Sequence, residues 1–261
     1  MRRSAGEGLI HYQKSENIVI ITLNRPNSRN AINTQMAEKL AEVVEEIRFD
    51  RDIKVMILTG EGREAFSIGT DPEEFLSSES QRDFKEKISI ASKVAAVDRP
   101  IIAAINGDAL GQGLELALAC DLRICGKNAR FAMPQVVQGE IPWDGGTQLL
   151  PRLIGPGKAI EMILTGETID AREAYRIGLV HRVIPLEELM PTVMKMAEEI
   201  ASKAPLSLKY SKEAIYKGID MTLEQGLRLE AELYFLLHTT RDRTEGINAF
   251  REKRTPKFAG E

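Results

Sequence analysis

The chain of 261 residues has little of what a metalloprotein, a disulfide-stabilised domain, a membrane protein or a nucleic-acid-binding protein needs. Its three histidines and two cysteines, Cys120 and Cys125, form no cluster that could supply a zinc site or a disulfide framework. No apolar run approaches the ~20 residues that span a bilayer, and the N-terminal segment MRRSAGEGLIHYQKSE lacks the apolar stretch of a signal peptide. The net charge is −4 with no basic run, which argues against nucleic acid as a partner. We therefore expect a cytosolic protein with two buried thiols, no metal and no membrane segment.

The composition that is present, 43% hydrophobic and 28% charged, is that of a folded globular protein. In the first two thirds, apolar strand-like segments alternate with helix-like segments, which predicts parallel βα units with both sheet faces covered. The strand-like segments are NIVIITLN, VMILTG, RPIIAAINGDA and LRICG, and the helix-like segments are NTQMAEKLAEVVEEI, RDFKEKISIASKVAAV and GLELALACD. From about Gly155 the pattern is nearly all helical, with Gly166 and Gly178 as predicted helix ends.

Three glycine-containing turns follow predicted strands. Gly60, Gly62 and Ala65 match the spacing of a dinucleotide-binding fingerprint, but a helix should follow there, and Pro72 and further turn residues interrupt the pattern. The turns in AFSIGTDPEEF and INGDALGQGLELALACD each lead toward a helix start, where backbone N–H groups point outward. Two such groups converging would form an oxyanion hole, although the glycines alone fit equally well as plain tight turns.

Five segments in order resemble the enoyl-CoA hydratase/isomerase (crotonase) superfamily over essentially the full length. They are ITLNRPNSRNAIN, AFSIGTD, RPIIAAINGDALGQGLELALACDLRICGKNARFAMPQ, IPWDGGTQLLPRLIG and AREAYRIGLVHRVIP. The resemblance implies an α/β, crotonase-like spiral of ββα units, with residues 1–200 binding the acyl-CoA and residues 201–261 forming a helical trimerisation region. It also implies a homotrimer or homohexamer, an acyl-CoA thioester substrate, and no cofactor beyond the coenzyme A that the substrate carries.

Residue by residue, the resemblance implies an oxyanion hole made by the backbone N–H groups of Thr70 and Gln112. The family often has glycine at the second place, but a main-chain donor survives the change to glutamine. The remaining implied contacts are to coenzyme A: the pantetheine arm passes Ile68, Gly69 and Asp71, the adenosine part meets Ser28 and Arg29, and a phosphate meets Lys257.

The family's hydratases hold a water between two glutamates. The first corresponds to Glu115, which lies in the first turn of a predicted helix, where a carboxylate is also favoured by the helix dipole. The second corresponds to Gln135, whose amide cannot titrate but can hold a water. This departure puts the usual two-glutamate mechanism in doubt.

Asp144 follows Trp143 where the hydratase pattern is rich in glycine and lacks an acid. An aspartate here resembles dienoyl-CoA isomerases, where it moves a proton, and an aroyl-CoA dehalogenase branch, where it is the nucleophile. Val136 stands where the isomerase has its partner acid and where the dehalogenase has a tryptophan, so neither branch fits completely. We hypothesise that Glu115 and Asp144 form the working acid–base pair; the alternative is that Asp144 caps the following helix. Trp143 is expected to shorten or flatten the acyl pocket, and Glu140 is expected to be a surface loop acid.

The leading interpretation is hydration or dehydration of a 2-enoyl-CoA in fatty acid metabolism. One alternative is double-bond isomerisation of an enoyl-CoA, which could be dienoyl or cyclic. A second is other chemistry of the family, such as thioester hydrolysis, decarboxylation or ring chemistry. A third alternative is non-catalytic binding of a CoA thioester or of RNA, against which the missing basic patch argues.

Overall fold

The structure is a computed structural model that describes residues 8–261, apart from the side chain of Gln81. Residues 1–7, which carry the two arginines of the N-terminal segment considered above, lie outside the described residues. Within residues 8–261, no helix is at once long and apolar enough to cross a bilayer. In the same range, no three His, Cys, Asp or Glu side chains are grouped so that they could hold a metal, and Cys120 and Cys125 are buried free thiols.

Six strands between Ile10 and Ile184 form the main sheet. Its order is β1 (Ile10–Ser15), β2 (Ile18–Leu23), β3 (Val55–Gly60), β5 (Ile101–Ile105), β7 (Leu122–Gly126) and β10 (Arg182–Ile184). The first two strands form an antiparallel hairpin, and every later neighbour is parallel. Every residue of β3 and β5 is buried, which explains why these two strands have continuous apolar sequences rather than alternating ones.

A second sheet of short strands lies beside the main one. Its order is β4 (Ala65–Ser67), β6 (Asp108–Leu110), β8 (Arg130–Ala132) and β9 (Ile169–Asp170). The chain passes from a main-sheet strand to a short strand and then toward a helix, as in β3–β4–α2 and β5–β6–α5, where α2 is Pro72–Ser77 and α5 is Gln112–Leu118. The α/β spiral of ββα units expected from the family resemblance is therefore confirmed.

Helices cover both faces of the main sheet. Helix α1 (Thr34–Phe49) is capped by Asn33, whose side chain accepts the Met36 N–H at 2.9 Å, and it buries one apolar stripe. Helix α9 (Leu186–Ala201) packs Leu189, Val193 and Ala197 against the other face. The remaining helices before α9 are α3 (Gln81–Ile88), α4 (Ala91–Ala95), α6 (Gly146–Ile154), α7 (Pro156–Thr165) and α8 (Ala171–Arg176), with 3-10 turns at Pro26–Ser28 and Pro134–Gln138.

Three further helices complete the chain: α10 (Pro205–Gly218), α11 (Leu223–Leu237) and α12 (Arg241–Glu252). No residue of α10 is fully buried, and two ion pairs hold this helix to the core, Lys212 to Asp121 at 2.8 Å and Lys209 to Asp98 at 2.9 Å. The predicted boundary at residue 200 falls at the end of α9, and the division into two domains stays a prediction.

The sequence-based assignment was wrong in three places. The single helix predicted over RDFKEKISIASKVAAV is two helices, α3 and α4, separated at Ser89 and Ile90. The segment after Gly155 contains the short strands β9 and β10 and is not nearly all helix. Strand β1 and the second sheet were not predicted. The strands of the second sheet have only two or three residues, too few to show a periodic pattern, and in the six-residue edge strand β1 only Ile10 is fully buried. Gly166 and Gly178 do follow helix ends, with φ of 65° and 81°.

Candidate active site

Two turns that follow short strands of the second sheet meet at one place. Gly69 lies in the turn after β4 with a φ of +89°, and Gly111 lies in the turn after β6 with a φ of +52°. A Cβ atom on Gly69 would come within 2.8 Å of both the backbone nitrogen of Gln112 and the carbonyl oxygen of Leu110. Glycine is required at this position because the two backbones touch and because φ is positive.

The contact between the turns brings Thr70 beside Gln112. The Thr70 hydroxyl donates to Oε1 of Gln112 at 3.0 Å. In the part of the chain that the structure describes, neither the backbone N–H of Thr70 nor that of Gln112 donates to a protein acceptor. Gln112 is the first residue of α5, where an N–H group has no partner within the helix. The two predicted oxyanion-hole residues are therefore neighbours, each with an unused backbone donor.

Glu115 lies one turn further along α5 and is completely buried. Its Oε1 accepts the backbone N–H groups of Asp144 at 2.9 Å and of Gly146 at 2.8 Å. Its Oε2 is buried without a hydrogen-bond partner among the described residues. Burial raises the pKa of this carboxyl from 4.5 to about 7, against the opposing effect of the two N–H groups. Glu115 can therefore change its protonation state near neutral pH.

Gln135 lies in the 3-10 turn that follows β8, and its side chain is buried. Its Nε2 atom would be 3.6 Å from a Cβ atom on Gly111, which places the Gln135 amide beside the Gly111 turn. Within residues 8–261, three buried side-chain atoms lack a partner: Oε2 of Glu115, Oε1 of Gln135 and Oδ1 of Asp121. Two of these three atoms belong to predicted site residues.

The side chain of Asp144 is buried and accepts hydrogen bonds from four donors. Oδ1 accepts from the Ser89 hydroxyl at 2.8 Å. Oδ2 accepts from the N–H groups of Ile90 and Ala91 and from Nε2 of Gln112, each at 3.1 Å. The capping alternative for Asp144 is wrong for α6, which begins after Gly145 with no side-chain cap. The carboxylate instead accepts the N–H groups at the start of α4, which is where the predicted single helix is broken.

The Ser28–Arg29 segment borders the Gly69 turn. The Ile68 N–H donates to the Arg29 carbonyl at 3.2 Å, which places this segment directly beside the predicted pantetheine path. The Arg29 guanidinium forms an ion pair with Asp108. Asp71 caps α2 by accepting the N–H groups of the next turn, and it pairs with Arg25 at 2.7 Å. Ser28, Arg29, Ile68, Gly69 and Asp71 therefore lie close together, and their contacts with coenzyme A stay a prediction.

Trp143 is half-buried beside the site and lines an open depression of about 460 Å³ together with Arg82, Ser89 and Lys85. The Lys85 ammonium lies 5.7 Å from the centre of the Trp143 ring and 3.1 Å from the carboxylate of Glu140. Glu140 lies in a loop, as expected, with its side chain 22% exposed and paired with Lys85.

Lys257 lies apart from the other predicted site residues. It lines a different depression with Lys54 and Lys203, and its backbone N–H donates to Glu245 at 2.8 Å. Sequence reasoning also missed two residues near the site, Ser89 and Lys85. Both lie in the segment predicted as one continuous helix, and no local motif distinguishes them from other polar helix residues.

Comparisons with known proteins identify the family. The family model for enoyl-CoA hydratase/isomerase matches residues 13–261. An (E)-benzylidenesuccinyl-CoA hydratase of Thauera aromatica is 42% identical, covering 94% of this chain and 97% of its own. A crotonyl-CoA hydratase of Syntrophomonas wolfei is 39% identical, covering 94% and 96%. The solved structure of an enoyl-CoA hydratase from Bacillus anthracis superposes with a TM-score of 0.94 at 39% identity, covering 97% of this chain and all of that one. The chain is a member of the enoyl-CoA hydratase/isomerase family.

Proposed function

We propose that the protein catalyses the reversible hydration of a 2-enoyl-CoA thioester. One observation carries the proposal. Two buried side-chain oxygens lack partners among the described residues close to the unused N–H groups of Thr70 and Gln112: Oε2 of Glu115, one turn along α5 from Gln112, and Oε1 of Gln135, whose amide lies beside the Gly111 turn. Polar atoms that are buried and unpaired are costly, so they are kept where a ligand or a water uses them. Similarity to the hydratases named above supports the same reaction.

The N–H groups of Thr70 and Gln112 would bind the thioester carbonyl oxygen. Addition of hydroxide to the β-carbon then moves negative charge onto this oxygen, and the two donors stabilise the resulting enolate. In a studied case, loss of one donor of this kind lowers the rate by roughly 10²–10³. The donors belong to the main chain, so the glutamine side chain at position 112 does not remove one of them.

Glu115 would perform both proton transfers. Its ionised carboxyl takes a proton from water as the water oxygen bonds to the β-carbon, and the Gln135 amide oxygen accepts the other water hydrogen to orient it. The protonated Glu115 then gives the same proton to the α-carbon as the enolate collapses. The product contains one added water, and Glu115 returns to its starting state. Both oxygens of Asp144 already accept from protein donors, so the proposal gives proton transfer to Glu115 alone.

Double-bond isomerisation is the second candidate, and the replacement of the second glutamate by Gln135 favours it. A single carboxyl with a pKa of about 7 can remove a proton from one carbon of the acyl chain and return it to another. No water is consumed in that reaction. The two candidates therefore differ in product mass.

We further propose that the protein works as a homotrimer or homohexamer in the cytosol. Helices α10 and α11 expose large apolar side chains that a partner subunit would cover: Ile215, Ile219, Leu227, Tyr234 and Phe235. Two buried free thiols suit a reducing compartment. Coenzyme A would enter as part of the substrate, and the reaction as written needs no further cofactor.

The test is mass spectrometry of straight-chain and cyclic enoyl-CoA thioesters incubated with the pure protein in D₂O. We expect a product heavier by one D₂O. If deuterium is incorporated and the double bond moves without added water, the reaction is isomerisation and not hydration. Unchanged thioesters throughout the panel would contradict both candidates and direct attention to hydrolysis, ring chemistry or binding without turnover.

A further inference from the structure

The side chain of Gln112 connects four groups around the candidate active site. Its Oε1 accepts from the Thr70 hydroxyl at 3.0 Å. Its Nε2 donates to the Ile88 carbonyl at 2.7 Å and to Oδ2 of Asp144 at 3.1 Å. Thr70 and Gln112, whose backbone N–H groups would bind the thioester, are thus also hydrogen-bonded through their side chains. The Gln112 side chain extends this connection to Asp144.

Asp144 in turn connects three separate segments of the chain. It accepts from the start of α4, through the N–H groups of Ile90 and Ala91, and from the start of α5, through Gln112. Its own N–H donates to Oε1 of Glu115. One residue therefore holds the side chain of an oxyanion-hole residue on one side and the carboxyl of the acid–base residue on the other.

We propose that Asp144 is a positioning residue, whose carboxylate fixes the Gln112 side chain and so sets the geometry of the Thr70 and Gln112 N–H donors. The inference rests on the proposed function, in which these donors bind the thioester carbonyl. A donor that is displaced by about 1 Å from its productive position costs as much as 10²-fold in rate. A buried aspartate with four donors is suited to prevent such displacement, and both of its carboxylate oxygens are engaged by protein donors.

An asparagine at position 144 can keep the same four hydrogen bonds. The three N–H donors all meet Oδ2, so an amide oxygen can take that place. The amide NH₂ would then face Ser89, whose hydroxyl can rotate to accept instead of donate. Asp144→Asn therefore removes the titratable group while preserving the network, and Asp144→Ala removes both.

The first measurement is the pH dependence of kcat for both variants with crotonyl-CoA. We expect Asp144→Asn to keep kcat within about tenfold of the wild type, and Asp144→Ala to lose roughly 10- to 100-fold, which is the scale of a misplaced donor. Both variants should keep the rise in kcat with pH through about 7 that belongs to Glu115. Equal loss in the two variants, together with a changed pH profile, would make Asp144 a proton carrier and overturn the inference.

The second measurement tests the positions of the Thr70 and Gln112 N–H donors with a bound thioester that the enzyme cannot hydrate. Butyryl-CoA labelled with ¹³C at the carbonyl has no double bond to hydrate, and the stretching frequency of its bound carbonyl falls when hydrogen-bond donors polarise it. We expect the wild type and Asp144→Asn to lower this frequency equally, and Asp144→Ala to lower it less. An unshifted carbonyl in the bound wild-type complex would contradict the oxyanion hole, and with it the proposed function. A full shift in Asp144→Ala would overturn the inference about Asp144 alone.

Asp242 offers a matched control. It is also buried, and it accepts two backbone N–H groups, from Ala259 at 2.7 Å and Gly260 at 2.9 Å, in a different part of the fold. Asp242→Ala should leave the carbonyl frequency at the wild-type value. If Asp144→Ala does not fold, Gln112→Leu breaks the same link from the other side while keeping the backbone donor. A wild-type carbonyl frequency in Gln112→Leu would overturn the inference.

Discussion

The backbone N–H of Asp144 donates to Oε1 of Glu115 at 2.9 Å, whereas the Asp144 carboxylate accepts the N–H groups at the start of α4. The two acids are therefore adjacent in the fold, and among the described residues no hydrogen bond joins their two carboxyl groups. Glu115 has one oxygen held by the backbone and one oxygen available. We therefore expect a single atom, Oε2 of Glu115, to accept and donate the proton.

Replacing Glu115 by glutamine is expected to lower kcat for hydration by roughly 10²–10⁴, the usual value of general acid–base help. The amide keeps the size of the side chain but cannot take or give a proton. Steady-state kinetics with crotonyl-CoA measure the effect. Glu42→Gln, an exposed change on α1, is the control and should retain wild-type kcat. A Glu115→Gln enzyme with full activity would remove Glu115 from the mechanism.

Glu115 should also make the fold less stable as pH rises. Its pKa is about 7 in the folded protein and 4.5 in the unfolded chain, so between these values only the folded state keeps the proton. Stability from this group is therefore present below about pH 4.5 and decreases through pH 7, by about 3 kcal/mol in all. Urea unfolding at about pH 5 and pH 8 tests this. In Glu115→Gln the loss between the two pH values should be smaller than in the wild type; an equal loss contradicts the prediction.

Gln135→Glu is expected to increase the hydration rate, because a second carboxyl would share the proton transfers with Glu115. A well-placed general acid or base raises the reaction rate by roughly 10²–10⁴, so we expect kcat to increase by about tenfold or more. The measurement is kcat with crotonyl-CoA. Gln135→Leu, which can neither titrate nor orient a water, is the comparison and should be slower than wild type. A decrease in both variants would show that the amide itself is needed.

Gly146→Ala is expected to displace the carboxyl group of Glu115. A Cβ atom at this position would lie 2.9 Å from Oε1 of Glu115 and 2.8 Å from the Cβ of Pro142. We expect a loss of about 1–3 kcal/mol in the free energy of unfolding from overpacking, and a lower kcat. Gly157→Ala is the matched control near the start of α7, since no atom lies within 4 Å of its added methyl group. That variant should gain up to about 1 kcal/mol.

The apolar surface of α10 and α11 can be tested by sedimentation velocity. Leu227 and Phe235 are 56% and 67% exposed in the single chain. If they lie between subunits, Leu227→Glu should bury a charge there and shift the protein toward monomer. Phe49→Glu places the same charge on an exposed residue at the end of α1 and should leave the assembly unchanged. A wild-type protein that sediments as a monomer would contradict the oligomer proposal.

The parts of the fold that could be predicted from sequence are those with a strong local pattern. Strands β3 and β5 are continuous apolar runs, and the α1 stripe of Met36, Leu40, Val43, Val44 and Ile47 has helical spacing. The glycine turns at Gly69 and Gly111 also stand out locally. The partners of Asp144 could not be predicted, because Ser89, Ile90 and Ala91 are more than fifty residues away in the chain and have no pattern of their own. They are revealed only by the folded structure, in which the loop before α6 lies against the start of α4.

The fixed Oε1 of Glu115 has a stereochemical consequence. Two N–H groups prevent the carboxyl from turning over, so the proton leaves from one oxygen in one direction. Two further N–H groups, of Thr70 and Gln112, would hold the thioester plane, and the proton would then arrive on a single face of the α-carbon. Deuterium from D₂O should accordingly occupy one of the two prochiral positions there, and the alcohol should form as one enantiomer. The handedness of the product would therefore depend on the backbone N–H groups that orient the Glu115 carboxyl and the thioester.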